Sequence, residues 1–190
     1  MRLYFMQSER IGFRIWSPAD LGLAVALWGD ARVSGLIGGP FTEQQVRERL
    51  ELEISTQESS GFQYWSIFRL QDDVHLGCCG LRPHPGDDAL ELGFHLLFEH
   101  WGQGYGSEAA SAVMNHAFGR LGVEALFAGH HPENQTSARL LQRLGFRHVS
   151  DELYPPTGLV HPSYRLTREQ FALDEAGDGQ ASGSNFRESN

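Results

Sequence analysis

Leu96-Leu97-Phe98-Glu99-His100-Trp101-Gly102-Gln103-Gly104-Tyr105-Gly106-Ser107-Glu108-Ala109 runs from an apolar strand end, through three alternating glycines, into a helix. Glycines at 102, 104 and 106 let the backbone come close to a ligand and turn several N–H groups toward one point. With the positive end of the helix that follows, those donors suit an anion such as a pyrophosphate. The stretch is not a Walker loop, which ends in Gly-Lys-Ser/Thr, because the 190-residue chain contains no lysine. Nor does its G-x-G-x-G spacing match the G-x-G-x-x-G of dinucleotide folds. A turn of this kind also serves as a plain strand–helix connection, so its surroundings must decide.

Working outward, Ala109, Ala110, Val113, Met114, Ala117, Phe118 and Leu121 form the apolar stripe of one strong helix. Upstream of the glycines lies a strand, Ala89–Leu97, preceded by the Pro/Gly/Asp-rich loop Arg82–Asp88. Before it, Tyr64–Leu70 and Val74–Leu81 read as two strands joined at Gln71-Asp72-Asp73. The first strand, Ile11–Trp16, runs into Ser17-Pro18-Ala19-Asp20, which starts a helix with Ser as N-cap and Pro at N1. That helix shows Leu21, Ala24 and Leu27 or Trp28 on one face. After Gly38-Gly39-Pro40, Thr42-Glu43-Gln44-Gln45 is a capping box opening a helix with the stripe Val46, Leu50, Ile54.

Downstream, Val123–Ala128 is a strand, and Pro132-Glu133-Asn134 opens a helix with Leu140, Leu141 and Leu144 inward and Gly145 as its stop. Strands near Phe146–Asp151 and Ser163–Leu166 follow, then a short turn from Thr167-Arg168-Glu169-Gln170. The order βααβββαβαββ predicts an α+β fold, a mixed, mostly antiparallel sheet flanked by helices, over residues 1–171. Residues 172–190, rich in Gly, Ser, Asp and Glu, read as a flexible tail.

Composition narrows the function. The chain is 41% hydrophobic and 21% charged, as soluble domains are, and no window of 18 uncharged apolar residues exists to span a membrane. Met1–Met6 has no signal-peptide character. Cys78 and Cys79 are adjacent and cannot frame a long-range disulfide, so a reducing cytoplasm is expected. The net charge of −9 argues against nucleic acid as a partner. One local exception is residues 120–147, where four arginines face Glu124 and Glu133. His130-His131 point to opposite strand faces with no acid or Cys to complete a set, so no metal is expected. Monomer and homodimer both remain open.

The quoted Leu96–Ala109 stretch resembles the acetyl-CoA motif of the GNAT superfamily of N-acetyltransferases. Pro132-Glu133-Asn134-Gln135-Thr136-Ser137, continuing to Arg143-Leu144-Gly145-Phe146, resembles that superfamily's second signature. Both are most similar to the RimJ/RimL-like branch, which includes ribosomal-protein N-terminal acetyltransferases. The resemblance runs from about Glu9 to Phe171, with Gly39-Pro40-Phe41-Thr42 and Tyr164-Arg165-Leu166-Thr167 inside it. Where the superfamily has Gln or Arg three residues before the middle glycine, this chain has Trp101.

The resemblance implies a GNAT-like fold, acetyl-CoA as cosubstrate and an amine acceptor, either a peptide N-terminus or a small molecule. It implies that the backbone of Leu96 and Leu97 pairs with pantetheine, with Phe98 and Trp101 in the same cofactor-binding stretch. It implies that Gly102, Gln103, Gly104, Tyr105, Gly106 and Ser107 hold the pyrophosphate. Asn134 then contacts the pantetheine arm, Ser137 lies near the sulfur, and Arg139 and Arg143 add charge near the CoA phosphates. Physically, the strand end near Leu96 offers an N–H to a thioester oxygen whose charge grows during the reaction.

Direct attack in a ternary complex needs a neutral amine. An α-amino group is about a tenth neutral at pH 7, so a modest base suffices. Glu91 is the candidate base; a solvated strand carboxylate is the competing reading. Ser137 is the candidate proton donor to the sulfur, against a helix position capped by Asn134. Trp28, Tyr64 and Trp65 either line an acceptor pocket or pack the core. A covalent cysteine route lacks an activating partner in the sequence. Two other classes stay open: a non-catalytic CoA-binding module, and a phosphate- or nucleotide-binding protein.

Overall fold

Tyr64–Arg69 is buried along almost its whole length because both faces of the strand meet helices. The computed structural model describes residues 4–84 and 89–173 and sets this strand third in an eight-stranded sheet. In chain order the strands are β1 (Met6–Gln7), β2 (Ile11–Arg14), β3 (Tyr64–Arg69), β4 (Val74–Pro83), β5 (Leu90–Leu96), β6 (Ala125–Gly129), β7 (Arg147–Tyr154) and β8 (Leu159–Thr167). Their spatial order is β1-β2-β3-β4-β5-β6-β8-β7, and only the β5–β6 pairing is parallel among the described residues. The helices are α1 (Leu21–Trp28), α2 (Ala31–Ser34), α3 (Glu43–Ser60), α4 (Tyr105–His116) and α5 (Gln135–Arg143). The expected α+β architecture is present.

Strand alternation divides the core in two. Trp65, Ile67, Cys79 and Leu92 face α4, whose Ala109, Ala110 and Val113 are fully buried, as is Ala117 just beyond its end. Tyr64 and Cys78 face the other way, with Trp16, Leu27 and Trp28 and with Val46 and Leu50 of α3. The adjacent cysteines therefore sit in opposite halves of the core, both buried and free. Small residues along α4 let that helix lie close to the sheet.

Local chemistry fixes the helix ends. Thr42 Oγ1 accepts from the Gln45 N–H while Gln45 Oε1 accepts from the Thr42 N–H, the reciprocal box read from sequence. Ser17 and Asp20 form a second box, but on a 3₁₀ turn, Pro18–Asp20, that precedes α1. Gly145 takes φ +85°, the left-handed stop expected after α5.

Three things differ from the expected order. The two-residue β1 and the four-residue α2 are too short to carry a periodic signal. The last hairpin is longer at both ends, with β7 reaching Tyr154 and β8 beginning at Leu159. Val149, Leu153, Leu159 and Val160 are exposed there, so the ladder is held by backbone pairing and no apolar alternation marks its length. Residues 168–173 are helical and stack Phe171 on Phe118 at 4.7 Å. The rest of the expected tail, 174–190, lies outside the described residues. No helix among the described residues is long and apolar enough to cross a membrane.

Candidate active site

The parallel strands β5 and β6 are joined at only two positions, Leu90–Leu126 and Glu91–Phe127. Beyond Glu91 no strand among the described residues lies beside β5 on that side. Leu97 N–H donates to Leu76 O at 2.9 Å on the β4 side, and main-chain direction alternates along an antiparallel ladder. Phe94 and Leu96 therefore present their backbone groups to the opening. Leu96 O accepts from Trp101 Nε1 at 2.8 Å. The expectation that Leu97 also offers its backbone is corrected: its N–H goes to Leu76, and its carbonyl accepts from the His100 N–H at 3.0 Å.

At the end of this edge stands the glycine turn. Gly102 and Gly104 have φ of +73° and +83°, a region that side chains rarely enter. Arg10 clamps the turn from the β1–β2 loop. Its Nη1 donates to Gln103 O at 3.1 Å, and its guanidinium lies 4.6 Å over the Tyr105 ring. Its Nε donates to Glu108 Oε2 at 2.7 Å. Burial alone would raise the Glu108 carboxyl, but bonds from Ser8 Oγ, the Arg10 N–H and the guanidinium outweigh it and hold the group below the usual range. Among the described residues no acceptor takes the N–H groups of Tyr105, Gly106 and Ser107. Three unpaired donors at a positive helix end suit a diphosphate. Phe98 and Trp101 stand beside the turn, rings 5.1 Å apart and both nearly half exposed.

A Cβ built on Gly106 would lie 3.6 Å from Leu96, 3.7 Å from Leu140 and 3.9 Å from Phe94. The start of α4, the open edge of β5 and the inner face of α5 thus meet at one point. Ser137 lies one turn before Leu140 and Leu141 on that inner face, half-buried. Its N–H donates to Asn134 Oδ1 at 3.0 Å, so Asn134 is the N-cap. Arg139 and Arg143 instead line a shallow depression on the outer face of α5 with Thr136 and Gln142.

On the other face of β5, Glu91 and His95 share one side with Gly93 between them. Tyr64 Oη donates to Glu91 Oε1 at 3.1 Å, and a Cβ at Gly93 would collide with the Tyr64 hydroxyl at 2.2 Å. Burial, and then the nearby Glu91 charge, push the Tyr64 phenol far above its ordinary pKa, so it stays a donor. Arg82 lies 4.2 Å over the Tyr64 ring and pairs with the fully buried Glu53, whose other oxygen accepts the Tyr64 N–H at 2.9 Å. Trp28 Nε1 reaches His95 Nδ1 at 3.4 Å. Because an indole only donates, that nitrogen is the acceptor and the ring proton sits on Nε2. Burial first, then Arg49 and Arg82, keep this imidazole neutral.

Of the residues weighed for an acceptor pocket, Trp28, Tyr64 and Trp65 are all buried in the core. Of the three, only Tyr64 meets Glu91, through its hydroxyl. Cys78 does have a neighbour the sequence did not show, His95 Nδ1 at 3.5 Å. Burial nevertheless pushes its thiol up to about 12, so no thiolate is available as a nucleophile. His130 and His131 have local roles: His130 contacts His131 O at 2.8 Å and Tyr164 Oη at 3.3 Å, and His131 Nδ1 accepts the Glu133 N–H. Sequence reasoning missed Glu53, Arg82 and His95. The alternation from Glu91 to His95 and the spacing from Leu50 to Glu53 were the available signals.

This geometry has close counterparts. Residues 10–147 match the family model described as an acetyltransferase (GNAT) domain. The uncharacterized N-acetyltransferase YoaA of Bacillus subtilis is 32% identical over 146 residues, spanning 75% of this chain and 82% of that protein. The crystal structure of a GNAT-family acetyltransferase from Bacillus anthracis superposes with a TM-score of 0.74 at 20% identity, covering 86% of this chain and 98% of that one. RimL, a ribosomal L7/L12 alpha-N-protein acetyltransferase, superposes with a TM-score of 0.71 at 17% identity, covering 84% and 91%. The chain belongs to the GNAT acetyltransferase family.

Proposed function

We propose that this chain transfers the acetyl group of acetyl-CoA to a primary amine by direct attack within a ternary complex, in the cytoplasm. The observation that carries the reading is the end of the β5–β6 ladder at Glu91–Phe127. It leaves an open strand edge running from a carboxylate to a helix N-terminus with three unpaired donors. Acetyl-CoA supplies the acetyl group already activated as a thioester.

The chain's residues divide the remaining work. Backbone N–H groups from Gly102 to Ser107 bind the diphosphate, and the Phe94–Leu96 edge with Asn134 orients the amide arm. The open edge near Leu96 also offers an N–H to the carbonyl oxygen as its charge grows. Glu91, oriented by the Tyr64 hydroxyl, takes the proton from the amine directly or through water. The Ser137 hydroxyl returns a proton to the sulfur.

A thiol-release assay with acetyl-CoA over a panel of amines, including peptides with free N-termini, tests the reading. Thiol and acetylated amine should appear in equal amounts. Tight acetyl-CoA binding without turnover on any amine would leave a binding module instead.

A further inference from the structure

Arg49 projects from α3 over Trp28, toward the cluster of Glu91, Tyr64 and His95. Its guanidinium lies 4.6 Å over the Trp28 ring and 5.9 Å from Phe41, between apolar walls. Its Nε is buried without a hydrogen-bond partner, and no carboxylate among the described residues lies within ion-pair distance. Burial is also the main influence lowering its pKa, followed by repulsion from Arg82. A guanidinium N–H stripped of water and left without an acceptor is costly unless something else completes it.

The neighbouring carboxylates do not. Glu53 is committed to Arg82 and to the Tyr64 N–H. Glu91 holds only a neutral hydroxyl. Among the described residues Arg49 is thus a cation with no carboxylate paired to it, beside a carboxylate, Glu91, that makes no ion pair of its own although Arg82 stands near enough to feel its charge. We propose that Arg49 receives a carboxylate carried by the amine acceptor, whose amino group lies toward Glu91; the acceptor is then of the amino-acid type.

This rests on the acetyl-transfer reading and narrows its substrate. A single carboxylate fits the planar, forked guanidinium. A phosphate dianion would leave one negative charge unmatched, because the four charged groups already sum to zero. The diphosphate of the cosubstrate is not the occupant either. Its turn packs against Phe94 and Leu96, whereas Arg49 reaches Trp28 on the His95 face.

Matched amines test the proposal: phenylalanine against phenethylamine, and leucine against isoamylamine, each with acetyl-CoA. The carboxylated member should have the higher kcat/KM, by roughly 10- to 100-fold, the range of a charge-assisted bond in a desolvated site. Arg49→Met should erase most of that ratio, and Arg49→Lys, which keeps the charge but loses the fork, should erase part of it. If Arg49→Met does not fold by circular dichroism, the lysine variant and the wild-type ratio still decide. Equal or better turnover of the amines lacking a carboxylate would overturn the proposal while leaving acetyl transfer intact. So would an Arg49→Met enzyme that loses both members equally. No turnover of either member would also overturn the proposal; acetyl transfer itself falls only if the wider panel, peptides with free N-termini included, gives no turnover while acetyl-CoA still raises the melting temperature.

Discussion

Tyr64 and Glu91 meet across the intervening strand β4, hydroxyl to carboxylate at 3.1 Å, over a glycine that leaves room for nothing larger. The phenol is fixed by the Arg82 guanidinium above its ring and by the backbone bond to Glu53. Glu91 is therefore held in one orientation while remaining half-exposed at the mouth of the opening. Tyr64→Phe should lower kcat by about tenfold with little change in KM for acetyl-CoA, as loss of orientation in the transition state requires. The lost bond to a half-exposed carboxylate costs about 1 kcal/mol, or roughly 2–4 °C in melting temperature. A large KM change with unaltered kcat would show that the hydroxyl binds cosubstrate instead.

Gly104 combines φ +83° with an Arg10 Nη2 only 3.3 Å from where a Cβ would stand. Gly104→Val should abolish the rise in melting temperature that acetyl-CoA gives the wild type, since the branched side chain disturbs the donors of the turn. The circular dichroism spectrum should survive. Undiminished stabilisation by ligand would mean that the glycine only makes a turn.

Trp101 is the exposed member of the four tryptophans, at 47%, against 2% or less for Trp16, Trp28 and Trp65. Its indole N–H holds the Leu96 carbonyl that an incoming amide arm would use. Acetyl-CoA should displace it and change its fluorescence. Trp101→Phe should remove that change, whereas an identical response in the variant would place the signal on a buried tryptophan.

His75 on β4 is buried between Phe68 and Trp16, ring centroids 5.2 and 5.7 Å away. Burial, its largest influence, depresses its pKa from 6.5 to about 4. The unfolded chain binds this proton first, so the contribution to stability is complete above pH 6.5 and is lost progressively down to pH 4. At pH 5 the loss is about 2 kcal/mol. His75→Phe should therefore reduce the fall in melting temperature between pH 7 and pH 5 by several degrees. His95, depressed in the same direction, keeps part of the fall in place. Parallel pH curves for the two proteins would place the acid sensitivity elsewhere.

What was legible in the sequence was local. The Thr42–Gln45 box, the Asn134 cap, the Gly145 stop and the stripe of α4 each depend on residues within a turn or two of one another. The glycine turn was legible because its backbone takes a geometry that only glycine adopts freely. The cluster around Glu91 was not. Glu53, Arg82, Tyr64 and Glu91 come from one helix and three strands, and nothing in the spacing of residues 53, 82 and 91 announces an ion pair beside a hydrogen bond. Leu97 was misassigned for a related reason, since the partner of a backbone group depends on the register with β4. The length of the β7–β8 hairpin was hidden because its apolar residues face outward.

The most direct measurement is amine-dependent thiol release from acetyl-CoA at saturating cosubstrate, comparing wild type with Glu91→Gln. Glutamine keeps the shape and can still meet the Tyr64 hydroxyl, but it cannot take a proton. The account predicts a kcat lower by roughly 10²-fold or more, the contribution of a positioned base, with acetyl-CoA binding retained. A Glu91→Gln enzyme that turns over at the wild-type rate would contradict it.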